Sequence, residues 1–316
     1  MESDKTRKVV LIGAGFVGMS YAYSLLNQGG CDELVLIDKD SKKAEGEAMD
    51  LNHGVAFAPK NMKIYAGSYG DCKDASLIVI TAGAAQKEGE TRLDLLKKNS
   101  GIIKQIVDSI MSSGFNGIIL VTTNPVDIMT YVAYKYSGLE KQQVFGSGTS
   151  LDSARLRYLL SDYLKIDSKS IHAYIVGEHG DSEFPLWSNA NVGVKPLLDI
   201  VSEHKEYKLE DLEKIYVDVR DAAYKIIEYK KSTYYGIGMA LCHITKAIFN
   251  DANSIIPVSG YIDNYYDVDG LYIGMPAIIN RDGVREVLKI HMSKTDQDKF
   301  KDSAKVIRES IGKMDI

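Results

Sequence analysis

The chain has 316 residues, 45% hydrophobic and 26% charged, an ordinary balance for a globular protein of one large or two modest domains. Its formal net charge of -5 and its lack of a basic stripe argue against a polyanion- or nucleic-acid-binding surface. Three distant cysteines, Cys31, Cys72 and Cys242, have no zinc or disulfide spacing, so reduced thiols and no metal site are expected. Met1–Arg7 contains no apolar signal core, and no later stretch has the length to cross a bilayer. A cytoplasmic protein is expected.

Lys8–Ile12 is a short apolar run that fits a strand buried on both faces. Gly13-Ala14-Gly15-Phe16-Val17-Gly18 follows, then a helical pattern over Met19–Leu26. In strand–turn–helix context Gly13 permits the tight turn, Gly15 admits a pyrophosphate and Gly18 lets the helix pack on the strand. The helix N-terminus then presents its positive dipole end to the phosphates. A second strand, Glu33–Ile37, ends in Asp38, 20 residues beyond Gly18. A carboxylate there accepts hydrogen bonds from ribose hydroxyls and repels a 2′-phosphate, which favours NAD over NADP.

Further strands are expected at Met62–Ala66, Leu77–Thr81, Gly117–Val121 and Gln143–Phe145, with a helix over Ser100–Ser112. This alternation predicts an α/β, doubly wound parallel sheet with ligands beyond the carboxyl ends of its strands. After the fourth strand, Ala82–Leu95 is polar and glycine-containing and holds Gly83, Gln86 and Arg92. That composition suits a mobile flap, although the segment taken by itself favours a solvated loop with an unremarkable arginine. Asn124-Pro125 after the fifth strand reads as a turn, with the option of a cis bond. Asn124 there can hydrogen-bond a nicotinamide or a substrate oxygen.

A composition shift at Gly146–Ser150 divides the chain into residues 1–147, a dinucleotide half, and 148–316, an α+β substrate half. A helix from Ser150 places Asp152 and Arg155 on one face, a spacing shared by ordinary surface ion pairs. Arg157 lies about 200° around from Arg155 at ~100° per residue, so it faces elsewhere. Ser170–Val176, with His172, reads as one strand leading into Val176-Gly177-Glu178-His179-Gly180-Asp181. A histidine between glycines, flanked by carboxylates, suits proton transfer near neutral pH. The segment alone fits a solvated loop as well. Helices follow over Lys208–Tyr229 and Ile237–Phe249. Antiparallel strands Ile255–Tyr261 and Leu271–Ile279 are joined by a loop whose acidic residues lack calcium-loop spacing. A last helix is expected to start at Thr295 as N-cap with Asp298 three later, and its stripe reads as packing.

Taken together, Gly13–Gly18, Ala82–Leu95, Thr122–Asp127, Gly148–Arg157, Val176–Glu183 and Ser232–Gly236 resemble the bacterial L-lactate dehydrogenases of the lactate/malate dehydrogenase superfamily, over essentially the whole chain. The resemblance implies a Rossmann domain that binds NAD through Gly13, Gly15, Phe16, Val17, Gly18, Asp38, Gly83, Asn124 and Ile237. It implies catalysis by His179 as proton donor and acceptor, Asp152 as its orienting carboxylate, Arg92 polarising the carbonyl and Arg155 clamping the substrate carboxylate. Gln86, Asn124 and Thr233 complete the implied substrate pocket. It further implies a glycolytic, fermentative homotetramer. Arg157 and His172 match positions that bind fructose 1,6-bisphosphate between subunits in allosteric members, with an interface or surface arginine and an unrelated strand histidine as the alternative. Glu88 departs from the proline frequent in the family. Malate dehydrogenase is the runner-up, separated by neutral Gln86 where the malate branch carries arginine. A non-catalytic NAD-binding scaffold would lack one of His179, Asp152, Arg155 and Arg92, yet all four are present.

The Asp38 reading makes a direct prediction. NADH should be used with kcat/KM roughly 100-fold above NADPH, the size expected when a charge meets a like-charged partner in place of two hydrogen bonds. Equal use of the two in steady-state assays would refute it.

Overall fold

The computed structural model describes residues 7–84 and 91–314, with Arg92 described through its backbone alone. Gln86, Glu88 and the Arg92 side chain lie outside the described part. The first half alternates β1 (Lys8–Ile12), α1 (Phe16–Gln28), β2 (Glu33–Ile37), α2 (Ser41–Gly54), β3 (Lys63–Ala66), β4 (Leu77–Ile80), α3 (Arg92–Ser112), β5 (Ile118–Val121), α4 (Val126–Ser137) and β6 (Val144–Gly146). The second half runs α5 (Ser150–Leu164), β7 (Ile171–His172), β8 (Ile175–Val176), β9 (Phe184–Pro185), β10 (Asn191–Val192), β11 (Lys195–Pro196), α6 (Leu197–Glu203), α7 (Leu209–Lys230) and α8 (Tyr235–Phe249). It ends with β12 (Ser254–Ile262), β13 (Leu271–Asn280), β14 (Gly283–Val287) and α9 (Lys294–Ile311).

One nine-stranded sheet, in the order β14-β13-β12-β6-β5-β4-β1-β2-β3, organises the molecule. Strands β3-β2-β1-β4-β5-β6 are parallel, the doubly wound arrangement expected from the alternation. The apolar runs follow from burial on both faces. Along β1, Val10 and Ile12 join one core with α3, α4 and α9 residues such as Ile103, Ile128 and Phe300. Val9 and Leu11 point the other way, into a core with Tyr21 and Leu25 of α1 and Leu241 and Ile244 of α8. A third core, around Leu156, Leu160, Leu212 and Val219, joins α5 to α7.

Several expected boundaries are corrected. The two strands expected near the C-terminus exist, but they extend the nucleotide sheet. β12 runs antiparallel beside β6, with Ser259 opposite Gly146, so both halves of the chain share one sheet. Ser170–Val176 is not one strand. β7 joins a small sheet with β10 and β11, while β8 pairs with β9. Helix α5 causes the break, because Arg157 Nε donates to the Ala173 carbonyl at 3.3 Å and Ser153 Oγ accepts the Ile175 N–H at 2.9 Å. Helix α3 begins at Arg92, well before the expected Ser100, on a Thr91–Asp94 capping box; residues 92–95 are therefore helix and not flap. The last helix is capped by Ser293, not Thr295, with Asp296 as the third residue in. Asp298 instead pairs with Lys294 at 2.7 Å. Helices α2, α4 and α6 and strands β9, β10, β11 and β14 are additional to the sequence reading.

Two glycines test the packing. A Cβ on Gly18 would lie 2.0 Å from the Gly13 carbonyl oxygen, whereas one on Gly46, exposed on α2, meets nothing within 4 Å. Gly18→Ala should therefore destabilise by about 3 kcal/mol or more. Gly46→Ala should stabilise by about 0.5–1 kcal/mol. Urea unfolding midpoints measure both, and equal shifts would contradict the packing.

Candidate functional site

The glycine turn is built as its residue types require. Gly13 has φ +109°, in the left-handed region, and a Cβ there would lie 2.6 Å from Ala82 N. Gly15 is the extended N-cap of α1 with no side-chain cap, and a Cβ on it meets nothing within 4 Å. The chain is thus open to close approach at Gly15, at the uncapped N-terminus of α1, a shape and polarity that fit a pyrophosphate. Phe16 is exposed, and Val17, also on α1, is half-buried against the core of Tyr21 and Leu25. Asp38 Oδ2 accepts the Ala14 N–H at 2.7 Å and Oδ1 accepts the Asp40 N–H at 3.0 Å. The carboxylate is thereby fixed beside the turn, where a ribose would lie. These residues fit a dinucleotide.

At the ends of β4 and β5 the chain is held by a residue that sequence reasoning missed. Asn99 of α3 accepts the Ala84 N–H at 2.8 Å and donates Nδ2 to the Asn124 carbonyl at 2.9 Å. It joins the start of the expected flap to the Asn124 turn, whose Asn124-Pro125 bond is cis. Gly83 is required there, since a Cβ would sit 2.5 Å from Thr123 Cγ2. Asn124 keeps its side chain exposed. Sequence spacing gives no hint of Asn99, because it acts across loops from a buried helix face.

Helix α5 is pinned at its N-terminus. Ser150 Oγ donates to the Pro257 carbonyl of β12 at 2.6 Å, and Thr149 Oγ1 donates to the Ile175 carbonyl at 2.7 Å. Asp152 is thereby buried, its side chain 3% exposed, and its two oxygens take different partners. Oδ2 meets His179 Nδ1 at 2.7 Å, and Oδ1 accepts Arg155 Nη1 at 2.7 Å. The Asp152–Arg155 pair is therefore no surface bridge. The His179 N–H donates to Asp127 Oδ2 at 2.8 Å, and Ser259 Oγ donates to Asp127 Oδ1 at 2.5 Å. Asp127, on the first turn of α4, was not singled out in the sequence. It ties α4, the His179 loop and β12 together.

Burial is the largest influence on each ionisable group here. For His179 it works against the imidazolium. The Asp152 charge and hydrogen bond, then Glu183 and Asp127, outweigh it and lift the pKa to about 10. Burial also opposes ionisation of Asp152, but His179 and Arg155 hold it below the usual carboxylate range. Burial pushes Asp127 up to about 7 against its hydrogen bonds, and pushes Glu183 well above the usual range. Asp152, His179 and Glu183 offer ligand atoms within 4.8 Å of one another. A metal there would have to displace the proton shared by Nδ1 and Asp152.

The remaining predicted residues lie on neighbouring elements. Thr233 and Ile237 flank the entry to α8, where a Cβ on Gly236 would lie 2.7 Å from Leu151, next to Asp152. Tyr234 stacks on Phe16 of the glycine turn with ring centroids 5.2 Å apart, so this segment meets both halves. Arg157 lies apart from Arg155, its guanidinium 5.1 Å from the Tyr174 ring, and His172 is exposed on β7.

A glycine turn shaped for a dinucleotide, feeding a buried histidine–carboxylate–arginine cluster, has its counterpart among known families. The lactate/malate dehydrogenase NAD binding domain matches residues 7–146, and the lactate/malate dehydrogenase alpha/beta C-terminal domain matches residues 149–315. The chain belongs to the lactate/malate dehydrogenase family. It is similar to L-lactate dehydrogenase 2 of Bacillus cereus, 57% identical over 96% of this chain and 97% of that one. Its structure is similar to that of a lactate dehydrogenase from a Medee basin deep-sea metagenome library, with a TM-score of 0.97, 58% identity, and 99% of this chain and 100% of that chain covered. It is also similar to the minor L-lactate dehydrogenase of Enterococcus mundtii in its ligands-bound form, with a TM-score of 0.97, 44% identity and 99% of each chain covered.

The His179 geometry carries a pH prediction. Its folded pKa, about 10, lies above the ordinary value of 6.5, so its contribution to stability is complete below pH 6.5 and is lost as pH rises through 10. Urea midpoints should fall across that interval, and His179→Asn should flatten the fall. Parallel curves for the two proteins would refute the pairing.

Proposed function

We propose that this chain catalyses the reversible reduction of pyruvate by NADH to L-lactate, in the cytoplasm and in the service of glycolytic fermentation. The observation that carries the reading is His179, bonded through Nδ1 to buried Asp152, which in turn holds Arg155. The bound nicotinamide supplies or accepts the hydride; the chain's residues manage the proton and the charge. Residues 1–147 form the NAD-binding domain and residues 148–316 the catalytic, substrate domain, with Arg92, Asn124 and Gln86 reaching the substrate from the first.

Negative charge develops on the carbonyl oxygen as hydride adds to carbon. His179, protonated at neutral pH by its raised pKa, delivers the proton from Nε2 and so completes the alcohol. In the opposite direction the neutral ring removes the hydroxyl proton. Asp152 fixes the tautomer and holds the ring. Arg155 offers its remaining N–H groups to the substrate carboxylate, a geometry that lysine cannot match. Arg92 adds positive charge at the carbonyl once water is excluded. Asn124 and Thr233 position the substrate. Gln86 supplies no charge for a second carboxylate, which disfavours oxaloacetate.

A homotetramer activated by fructose 1,6-bisphosphate through Arg157 and His172 extends the reading. It is supported by the separation of Arg157 from Arg155 and by the lack, among the described residues, of a carboxylate paired with Arg157. No helix among the described residues is long and apolar enough to cross a membrane.

NADH oxidation measured across several 2-oxoacids, with and without the bisphosphate at pH 5.5–7.5, tests these assignments. Pyruvate should give the highest kcat/KM, the bisphosphate should lower its half-saturation concentration, and His179→Ala should cost roughly 10²- to 10⁴-fold in kcat. Preference for oxaloacetate, identical saturation curves, or full turnover by the variant would respectively overturn the substrate, the effector and the proton donor.

A further inference from the structure

We propose that Ser303, on the C-terminal helix α9, is a positioning residue for His179 that acts through the backbone of Glu178. The assignment rests on His179 being the proton-transfer group.

Ser303 is completely buried, 125 residues from Glu178 along the chain. Its Oγ accepts the Glu178 N–H at 2.7 Å and lies 3.0 Å from Ser182 Oγ. Ser182 Oγ donates to Glu178 Oε2 at 2.6 Å. A hydroxyl has one proton, and Ser182 spends its own on that carboxylate. Ser303 is therefore the donor in the contact between the two serines. The result is a closed ring that leaves Glu178 by its N–H, passes through Ser303 and Ser182, and returns to its carboxylate. Ending on a charged acceptor strengthens the whole ring.

The ring has consequences for the next residue. Glu178 N–H is held by α9, and His179 N–H is held by Asp127 of α4. Two successive backbone donors are fixed by two different helices, which sets the peptide plane from which the imidazole projects. Gly177 seals the other end. Its N–H and C=O both pair with Gly274, at 2.9 and 3.0 Å. A Cβ on Gly177 would meet Ser303 Oγ at 2.8 Å, so α9 touches the loop's main chain directly. The same helix fastens the chain beyond the loop, where Ser188 Oγ donates to Asp296 Oδ2 at 3.1 Å. The last helix, whose stripe reads in sequence only as packing, thus supplies the platform under the histidine.

Ser303→Ala leaves a buried N–H without its acceptor and opens the ring. The expected result is a fall of roughly 10- to 100-fold in kcat/KM for pyruvate, the scale of a small misplacement of a reacting group. NADH affinity, measured by fluorescence titration, should be unchanged. The limb of the pH profile set by loss of the His179 proton should move to lower pH, because a looser bond to Asp152 favours the imidazolium less. Ser182→Ala cuts the same ring at a more exposed point and should show the same displacement of the limb to a smaller degree. The double variant should be no worse than Ser303→Ala alone. Ser310→Ala, whose hydroxyl donates to the Val306 carbonyl of its own helix, should match the unaltered protein. Unaltered kcat/KM and pH profile in Ser303→Ala, whatever its thermal stability, would overturn the proposal, and so would strictly additive losses in the double variant. His179→Ala assayed alongside separates the two levels: full turnover there removes the reading of His179 itself, whereas loss there with an unaffected Ser303→Ala removes only the role of Ser303.

Discussion

The hydrogen bond between His179 Nδ1 and Asp152 Oδ2, 2.7 Å long and largely shielded from water, is the interaction on which the rest of the structure converges. In water such a pair would contribute little, because solvent competes for both partners. Here burial makes the bond strong and its disruption costly. Asp152 is buried because α5 is pinned between β12 and β8. His179 reaches it because its loop is suspended between α4 and α9. Of those four elements only β8 is adjacent to His179 in the chain; β12, α4 and α9 are distant from it. The large shared sheet provides the rigid frame that brings them to one point.

That frame also explains the glycines. Gly13 and Gly18 let α1 come down onto β1 and β4, and Gly238 lets α8 come down onto α1, where a Cβ would lie 2.8 Å from the Ser20 carbonyl carbon. Closing these distances carries the segment before α8 to the glycine turn, as the stacking of Tyr234 on Phe16 records. Backbone approach, and not side-chain chemistry, therefore determines whether the two halves of the site meet.

The parallel half of the fold was legible because its strands are buried on both faces, and Lys8–Ile12 and Glu33–Ile37 announce themselves as unbroken apolar runs. The glycine turn was legible from its spacing. Asp152, Arg155 and His179 stood out only through the family resemblance of the strings around them, since their spacing alone fitted a surface ion pair and a solvated loop as well. Other features were not local enough to read. The interruption of Ser170–Val176 depends on hydrogen bonds from α5. The place of β12 in the nucleotide sheet depends on a single opposed pair, Ser259 and Gly146. Asp127 and Asn99 look like ordinary helix residues until burial shows that their polar atoms serve distant loops. The start of the last helix went to Ser293 because Asp296 gains a buried partner in Ser188, a competition that no window of sequence contains.

Charge balance holds these residues together. Asp152 lies between two cations, bonding the His179 imidazole through Oδ2 and the Arg155 guanidinium through Oδ1, and both keep its carboxyl below the usual range. Burial acts the other way on the neighbouring carboxyls, raising Glu183 and Asp127 and so favouring their neutral forms. One carboxylate is thus kept charged by the partners it orients, while the others are drawn towards neutrality by the same burial that makes the bond between His179 and Asp152 strong. Loss of Asp152 would leave two cations in that setting without their shared partner, so it disturbs the imidazole and the guanidinium together.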